Sequence, residues 1–337
     1  MSSNPQYRFS RQSHHLGQGH APTLWQRIHI DPWLTLLLLT VCCIGLTILY
    51  SAASQDVGMV IRQMVSYGVA FIVMFIMAQI PPSLYRTFTP VFYVLGLILL
   101  VLVDVIGEVR MGAQRWIRIP GFGSVQPSEF MKLGMPMMCA WFLSKRDLPP
   151  SASSIAITLA LIIVPVLLIA KEPDLGTSLL VAASGIFVLF LAGLSWRLIS
   201  AAVVLAIPFI AFAWNFLLHD YQRTRVLTLL NPEADVQGAG WNIIQSKTAI
   251  GSGGLTGKGY LEGTQSHLHF LPEGHTDFII AAFSEEFGLM GVMLLMFIYS
   301  CLLTRALYIA LTHPDVYSRL LAGAIAMSFF VYIFVNV

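Results

Sequence analysis

Asp277 stands where the polar stretch 218 to 277 gives way to an apolar run, and it belongs to the motif HTDF at 275 to 278. A carboxylate there has two readings. Partly desolvated at the junction, it can act as a general base; at the start of a helix it can instead cap, accepting backbone N–H bonds. The same stretch carries Arg223, Arg225, Lys247 and Lys258, and the connection 108 to 126 carries Arg110, Arg115 and Arg118. Cations gathered in this way suit an anionic ligand, a phosphate or pyrophosphate best. Pairing with Glu108, Asp220, Glu233 or Glu262 is the plainer alternative for any one of them.

Other groups with chemical potential lie at the edges of apolar runs, where an ionisable side chain must be paired or wet. Glu129 and Lys132 are three apart, share a helix face and are expected to pair. Lys171, Glu172 and Asp174 sit in KEPDLGT, where Pro173 and Gly176 interrupt the helix; a site wall and a tight re-entrant turn are both open. Glu285 and Glu286 enter the next apolar run, and the expectation is that one faces the bundle and the other the interface. GSGGLTGKG at 251 to 259 resembles a phosphate loop only loosely, since the Lys-Ser/Thr ending and a preceding strand are missing. His267, His269 and His275 match no zinc spacing and read as surface histidines.

The elements that must position these residues are set by composition. With 56% hydrophobic and 11% charged residues and a mean hydropathy of +0.74, the chain is an all-α polytopic membrane protein. A net charge of +2 and the lack of a basic stripe give no reason to expect nucleic acid. Cys42, Cys43, Cys139 and Cys301 fall inside apolar runs and read as packing residues. Nine spans are expected, at 33 to 52, 60 to 79, 88 to 107, 127 to 144, 152 to 170, 175 to 193, 197 to 217, 279 to 304 and 318 to 337, after a polar tail at 1 to 31. A cytoplasmic N-terminus puts Arg8, Arg11, Arg27, Arg86, Lys145, Arg146, Arg197, Arg305 and Arg319 inside. The loop 218 to 277 between the seventh and eighth spans then lies outside, and its basic residues run against the insertion bias.

YSAAS at 50 to 54, GAQRWI at 112 to 117, QPSEFMK at 126 to 132, KEPDLGT at 171 to 177, NPE at 231 to 233, GWNIIQSKTAIGSGGLTGKG at 240 to 259 and FLPEGHTDFI at 270 to 279 resemble, in order, the RodA and FtsW proteins of the SEDS family. The run GTQSHLHFLPEGHTDF looks more like RodA. The resemblance covers residues 32 to 337 and implies a multi-pass protein of the bacterial inner membrane, a peptidoglycan glycosyltransferase that polymerises lipid II during elongation. It implies as partners a class B penicillin-binding protein and other elongation proteins such as MreC and MreD. It assigns the base to Asp277.

Such a transfer needs a base for an acceptor hydroxyl and charge to stabilise the pyrophosphate leaving group. Arg115 and Lys247 are the first candidates for that charge, with Arg118, Lys132, Arg223 and Lys258 behind them. Gln126, Asp174, Gln245 and Ser246 are candidates for the rest of the substrate, and a divalent cation, Mg or Mn, could bridge the pyrophosphate. Family members usually have Gln where this chain has Glu172, and Arg where it has Gly274. The chain also stops at Val337, before the family's PLP and SYGG motifs and tenth span, so a truncated and inactive polypeptide is one expectation. A flippase for lipid-linked precursors and a non-enzymatic scaffold for a penicillin-binding protein are the alternatives. Transport predicts polar groups spread toward the cytoplasmic side, whereas this chain gathers them at the outer face.

Overall fold

The computed structural model describes residues 24–337 apart from 111–112, 120–122, 173, 219, 237, 265–273 and 275. Its apolar helices are α1 (Pro32–Ala52), α2 (Val57–Gln79), α3 (Pro82–Ile106), α4 (Pro127–Leu143), α5 (Ala152–Lys171), α6 (Leu175–Leu191) and α7 (Trp196–Phe212). After two more polar helices, α8 (Asp220–Leu230) and α9 (Ala239–Gly253), come the apolar α10 (Ile279–Thr312) and α11 (Val316–Asn336). Among the described residues, seven helices are long and apolar enough to cross a membrane. The other two expected spans, α4 and α6, are helices of 17 residues each, about 26 Å against a hydrocarbon core of about 30 Å.

Helix starts are marked by side chains that take up the first free N–H groups, which have no water to bond inside a membrane. Asp31 accepts from Leu34 N at 2.8 Å and Asp56 from Gly58 N at 2.8 Å. Asp174 accepts from Thr177 N at 3.1 Å and Asp315 from Ser318 N at 2.9 Å. Proline in the first turn of α1, α3 and α4 does a related job, because it has no N–H to satisfy. Asp31 and Asp315 also tie helices together. Arg305 holds Asp31 through two bonds of 3.1 and 2.6 Å, and Arg86 pairs with Asp315.

The main core centres on α4, which packs on α3, α5, α6 and α11 through buried Met131, Met135, Cys139 and Leu143. A smaller cluster of Ile48, Ala282, Phe283 and Leu295 joins α1 to α10. Small residues set these distances, as is usual where lipid supplies no hydrophobic drive between helices. A Cβ on Gly185 would lie 2.6 Å from Ile162 Cγ1 and 3.2 Å from Met135 Cγ. In contrast, α2 and α7 bury no residue and present their apolar side chains outward.

Three expectations need amending. The fold is not purely α: the connection after α3 is a three-stranded antiparallel meander, β1 (Glu108–Arg110), β2 (Ala113–Ile119) and β3 (Gly123–Val125). Trp116 pairs with Glu108, and Ile117 with Val125; the β-branched and aromatic content of β2 favours this. The polar stretch 218 to 277 is not a plain loop, since it holds α8, α9 and a 3-10 turn at Pro232–Asp235. Its helices are polar and short, so they lack the apolar stripe by which a sequence announces a helix. Finally, α10 runs 34 residues, on to Thr312, with non-helical backbone at Gly288.

Replacing Gly185 by Leu should lower stability by about 1–3 kcal/mol through overpacking. Gly68→Ala is the matched control, because a Cβ at Gly68 meets nothing within 4 Å; it should be neutral or slightly stabilising. Thermal unfolding in detergent separates the two, and equal melting temperatures would show that α5 and α6 do not depend on that contact.

Candidate active site

The break in α10 organises the end of the bundle where that helix starts. Gly288 has φ 64° and ψ −168°, a conformation that favours glycine, and the break frees N–H and C=O groups that need partners. They are supplied by the segment after α9. Lys258 N donates to Glu285 O at 3.0 Å and Gly259 N to Glu286 O at 3.1 Å, while Leu289 N and Met290 N donate back to Gly254 O and Leu255 O, each at 3.0 Å. The approach is backbone to backbone. A Cβ on Gly253 would sit 2.1 Å from Ser284 O, and one on Gly257 2.0 Å from Glu286 O. The glycines of GSGGLTGKG therefore let a strap enter a broken helix, and this accounts for a motif that only loosely resembles a phosphate loop.

Side chains reinforce the strap. Glu285 and Glu286 are 0% and 1% exposed, so both face the protein, and the expectation that one would meet the interface was wrong. The reason is that this part of α10 is covered on two sides, by the strap at Glu285 and by α1 at Glu286. Glu285 Oε1 receives Lys258 Nζ at 2.7 Å, Thr264 N at 2.9 Å and Thr264 Oγ1 at 3.1 Å. Glu286 accepts a bond from the Ser51 hydroxyl, and Tyr260 OH donates to Thr47 O at 3.2 Å, which ties the strap to α1. Lys258, a candidate for the anionic ligand, is thus engaged with Glu285. The signal that could have found this pair was the cost of two adjacent acids in an apolar run beside one lysine among glycines.

Asp277 lies two residues before Ile279, where α10 begins. It is exposed rather than partly desolvated. It is also not the cap: Phe278 holds the N-cap position of α10, with no side-chain capping bond. Among the described residues the Asp277 carboxylate makes no hydrogen bond or ion pair. Phe278 packs on Ala249 and Ala281, so α9 lies against the first turn of α10. Lys247, on α9, is exposed and likewise uncommitted among the described residues. Just below Asp277, Ile280 and Phe283 of α10 join Ile44 and Ile48 of α1 and Gln63 and Tyr67 of α2 around a largely apolar cavity of about 290 Å³.

The other candidates form a second cluster, at the α5–α6 break. Arg115 Nε donates to Glu172 O at 3.1 Å and its guanidinium lies 3.8 Å from Asp174 Oδ2. Gln126 Nε2 donates to the same Asp174 oxygen at 3.0 Å, and Lys171 pairs with Asp104 at 2.8 Å. Arg115, Gln126 and Asp174 are therefore brought together as a latch between β2, the start of α4 and the start of α6. Arg118 is largely exposed, with Glu108 at 3.9 Å, and Arg223 is held by Asp220 at 3.5 Å and Asn215 O at 3.1 Å. Lys132 Nζ is 2.5 Å from Glu129 Oε1 and lies over the Tyr332 ring at 5.4 Å. Gln245 is half-buried, and the buried Ser246 bonds Asn242 O at 2.8 Å. His267, His269 and His275 lie outside the described residues. Among those described, no group of three or more His, Cys, Asp or Glu could hold a metal.

Glu172 differs from its neighbours. It is 2% exposed, and neither carboxylate oxygen has a hydrogen-bond partner. Burial, then the charges of Asp104 and Asp174, push it up to about 8 against the opposing pull of Arg115. At neutral pH it is a neutral acid, close in shape and polarity to the glutamine that the motif usually carries there.

Comparison with known proteins gives a consistent result. The model of a cell cycle protein family, FTSW_RODA_SPOVE, matches residues 32–337. The peptidoglycan glycosyltransferase MrdB of Escherichia coli is 50% identical over 315 residues, 94% of this chain and 85% of that one. The probable peptidoglycan glycosyltransferase FtsW of Trichlorobacter lovleyi is 35% identical over 319 residues, 91% of this chain and 82% of the other. Among solved structures, one described as the structural coordination of polymerization and crosslinking by a peptidoglycan synthase complex aligns at a TM-score of 0.77, with 29% identity over 91% of this chain and 85% of that one. The Thermus thermophilus rod shape determining protein RodA aligns at 0.65, with 27% identity over 91% and 83%.

Because the folded protein holds the Glu172 proton more tightly than the unfolded chain does, this group lowers stability as pH rises from the ordinary carboxylate range toward about 8. Glu172→Gln should flatten that slope and stabilise the protein above pH 8 by up to a few kcal/mol, since each tenfold difference in proton affinity is worth about 1.4 kcal/mol. Melting curves of both proteins between pH 5 and 9 check it; parallel profiles would mean that Glu172 is ionised throughout.

Proposed function

The chain belongs to the FtsW, RodA and SpoVE family of cell cycle proteins, and on that premise we propose a peptidoglycan glycosyltransferase that polymerises lipid II with Asp277 as general base. The observation that carries the residue assignment is the exposed Asp277, uncommitted among the described residues and two positions before Ile279, which lines a largely apolar cavity. Asp277 takes the proton from the acceptor sugar hydroxyl as that oxygen attacks the anomeric carbon of the donor. The bond from that carbon to the pyrophosphate oxygen breaks, and undecaprenyl pyrophosphate leaves. Lys247, the uncommitted cation on α9, faces the developing charge on the leaving group. The cavity between α1, α2 and α10 accepts the start of the lipid chain.

Mg or Mn carried in on the pyrophosphate would supply further charge neutralisation; the described residues offer no resident ligand set for it. With nine crossings and the cytoplasmic N-terminus that the lysine and arginine bias favours, α8, α9 and Asp277 lie on the periplasmic side of the inner membrane. The short α4 and α6 fit that count because both lie within the bundle. A class B penicillin-binding protein, joined by proteins such as MreC and MreD, docks on this assembly. Chemistry at the outer face is favoured over transport by the state of the charges at the other end. There Arg86 and Arg305 are paired with Asp315 and Asp31, and Lys145 and Arg146 lie over Trp141 and Phe142.

Asp277→Asn should abolish glycan formation from purified lipid II, a loss of about 10²-fold or more, with an unchanged melting temperature because the side chain is exposed and caps nothing. Near-normal polymerisation would remove Asp277 as the base. Lys247→Ala should raise KM for lipid II several-fold and leave folding intact, and unchanged lipid II affinity would return Lys247 to the ordinary surface.

A further inference from the structure

The second half of α8 is turned inside out. The helix is polar over DYQRTR at 220 to 225 and apolar over VLTLL at 226 to 230, a run too short to read as a stripe in the sequence. Val226, Leu227, Leu229 and Leu230 follow the i, i+1, i+3, i+4 spacing of one helical face. All four are exposed, Leu229 at 65% and Leu230 at 77%. Thr228, which the same spacing puts on the opposite side, is 5% exposed. A helix bathed in water turns its leucines inward and its threonine outward. The buried side of α8 rests on the turn at Pro232–Asp235 and on α9, so the apolar side calls for an apolar medium.

The place of α8 in the chain says which medium. With the π-helical turn that follows it, Ala213–Leu217, α7 forms one apolar span from Trp196 to Phe216. Four residues beyond Phe216 α8 begins, and it folds back onto the end of that span: Arg223 Nη2 donates to Asn215 O at 3.1 Å. Carbonyls in the last turn of a helix have no partner within it, and a basic side chain is a usual way to satisfy them. The start of α8 is thereby held where the chain leaves the hydrocarbon. Its 11 residues extend about 16 Å. A helix lying in the membrane surface needs an apolar side toward the acyl chains and basic residues at the border of that side. Arg225 meets the second condition. It is exposed, makes no hydrogen bond or ion pair among the described residues, and stands four positions before Leu229, at the edge of the apolar face. We propose that α8 is an in-plane membrane anchor, with Val226, Leu227, Leu229 and Leu230 in the acyl chains beside the end of α7 and Arg225 against the phosphates of the phospholipid headgroups. Because α8 packs on α9, the lipid surface then supports the helix that carries Lys247.

The test puts an indole on each side of α8, in the full chain alone in nanodiscs whose phospholipids carry bromine on the acyl chains close to the glycerol. Bromine quenches indole emission only at close approach, and the seven native tryptophans give the same background in both variants. The emission added by Leu229→Trp should fall about twofold or more in brominated lipid, and that added by Thr224→Trp, on the polar side, should not change. Both positions are exposed, so neither variant disturbs packing. Equal quenching at the two positions, or none at position 229, overturns the anchor. Shielding of the Leu229→Trp emission from aqueous acrylamide only after a class B penicillin-binding protein is added assigns the face to a protein and overturns it as well. Arg225→Gln should speed amide exchange over Val226–Leu230 several-fold in the same discs, and unchanged exchange overturns the phosphate contact.

Discussion

The controlling constraint is that a backbone N–H or C=O inside a membrane must find a partner within the protein. A helix meets that demand by itself, and a broken helix does not. Once Gly288 interrupts α10, everything on the outer side is arranged to answer the break. Glycines allow the strap to come within bonding distance, the strap brings Lys258 and Tyr260 with it, and α9 is drawn against the first turn of α10. The cost of two buried acids is met by two segments, the strap through Lys258 and Thr264 at Glu285 and α1 through Ser51 at Glu286. Asp277 takes no part in these bonds among the described residues.

Charge is treated differently at the two ends of the bundle. At one end, Asp31 and Asp315 each cap a helix and bind an arginine from another helix, so one carboxylate serves helix and bundle together. The Arg305 bond, aided by the Leu34 N–H, holds Asp31 below the usual carboxylate range despite partial burial. At the other end, the latch of Arg115, Gln126 and Asp174 is also a packing device. Lys247 and Asp277, which the proposed function assigns to the substrate, take part in neither device.

Much of this was legible in the sequence. Apolar length located the helices, and the three-residue spacing of Glu129 and Lys132 put them on one face. The junction at Asp277 stood out because composition changes there. Other features were not legible, for a common physical reason. Arg115 and Asp174 were read as facing a ligand, and only three-dimensional proximity shows that they face each other. Lys258 and Glu285 are far apart in sequence, and neither helical spacing nor motif shape could join them. The break at Gly288 was invisible because a lone glycine is tolerated within a helix, while the backbone partners that answer it lie in the strap some thirty positions earlier. The all-α expectation missed the meander because three short strands beside a membrane carry too few residues to show alternation.

The interruption at Gly288 also changes how α10 transmits force. An unbroken helix of 34 residues would be a stiff rod of roughly 50 Å, and a push at its outer tip would be felt at its inner end. With the break, the rod becomes two levers joined by a stitched hinge. The short lever, Ile279–Phe287, is coupled to the strap, to α9 and to α1, and the long lever, Leu289–Thr312, shares α1 through Leu295. A load applied to α9 is therefore delivered first to the short lever next to Asp277 and then passes sideways into α1, not straight along one rod.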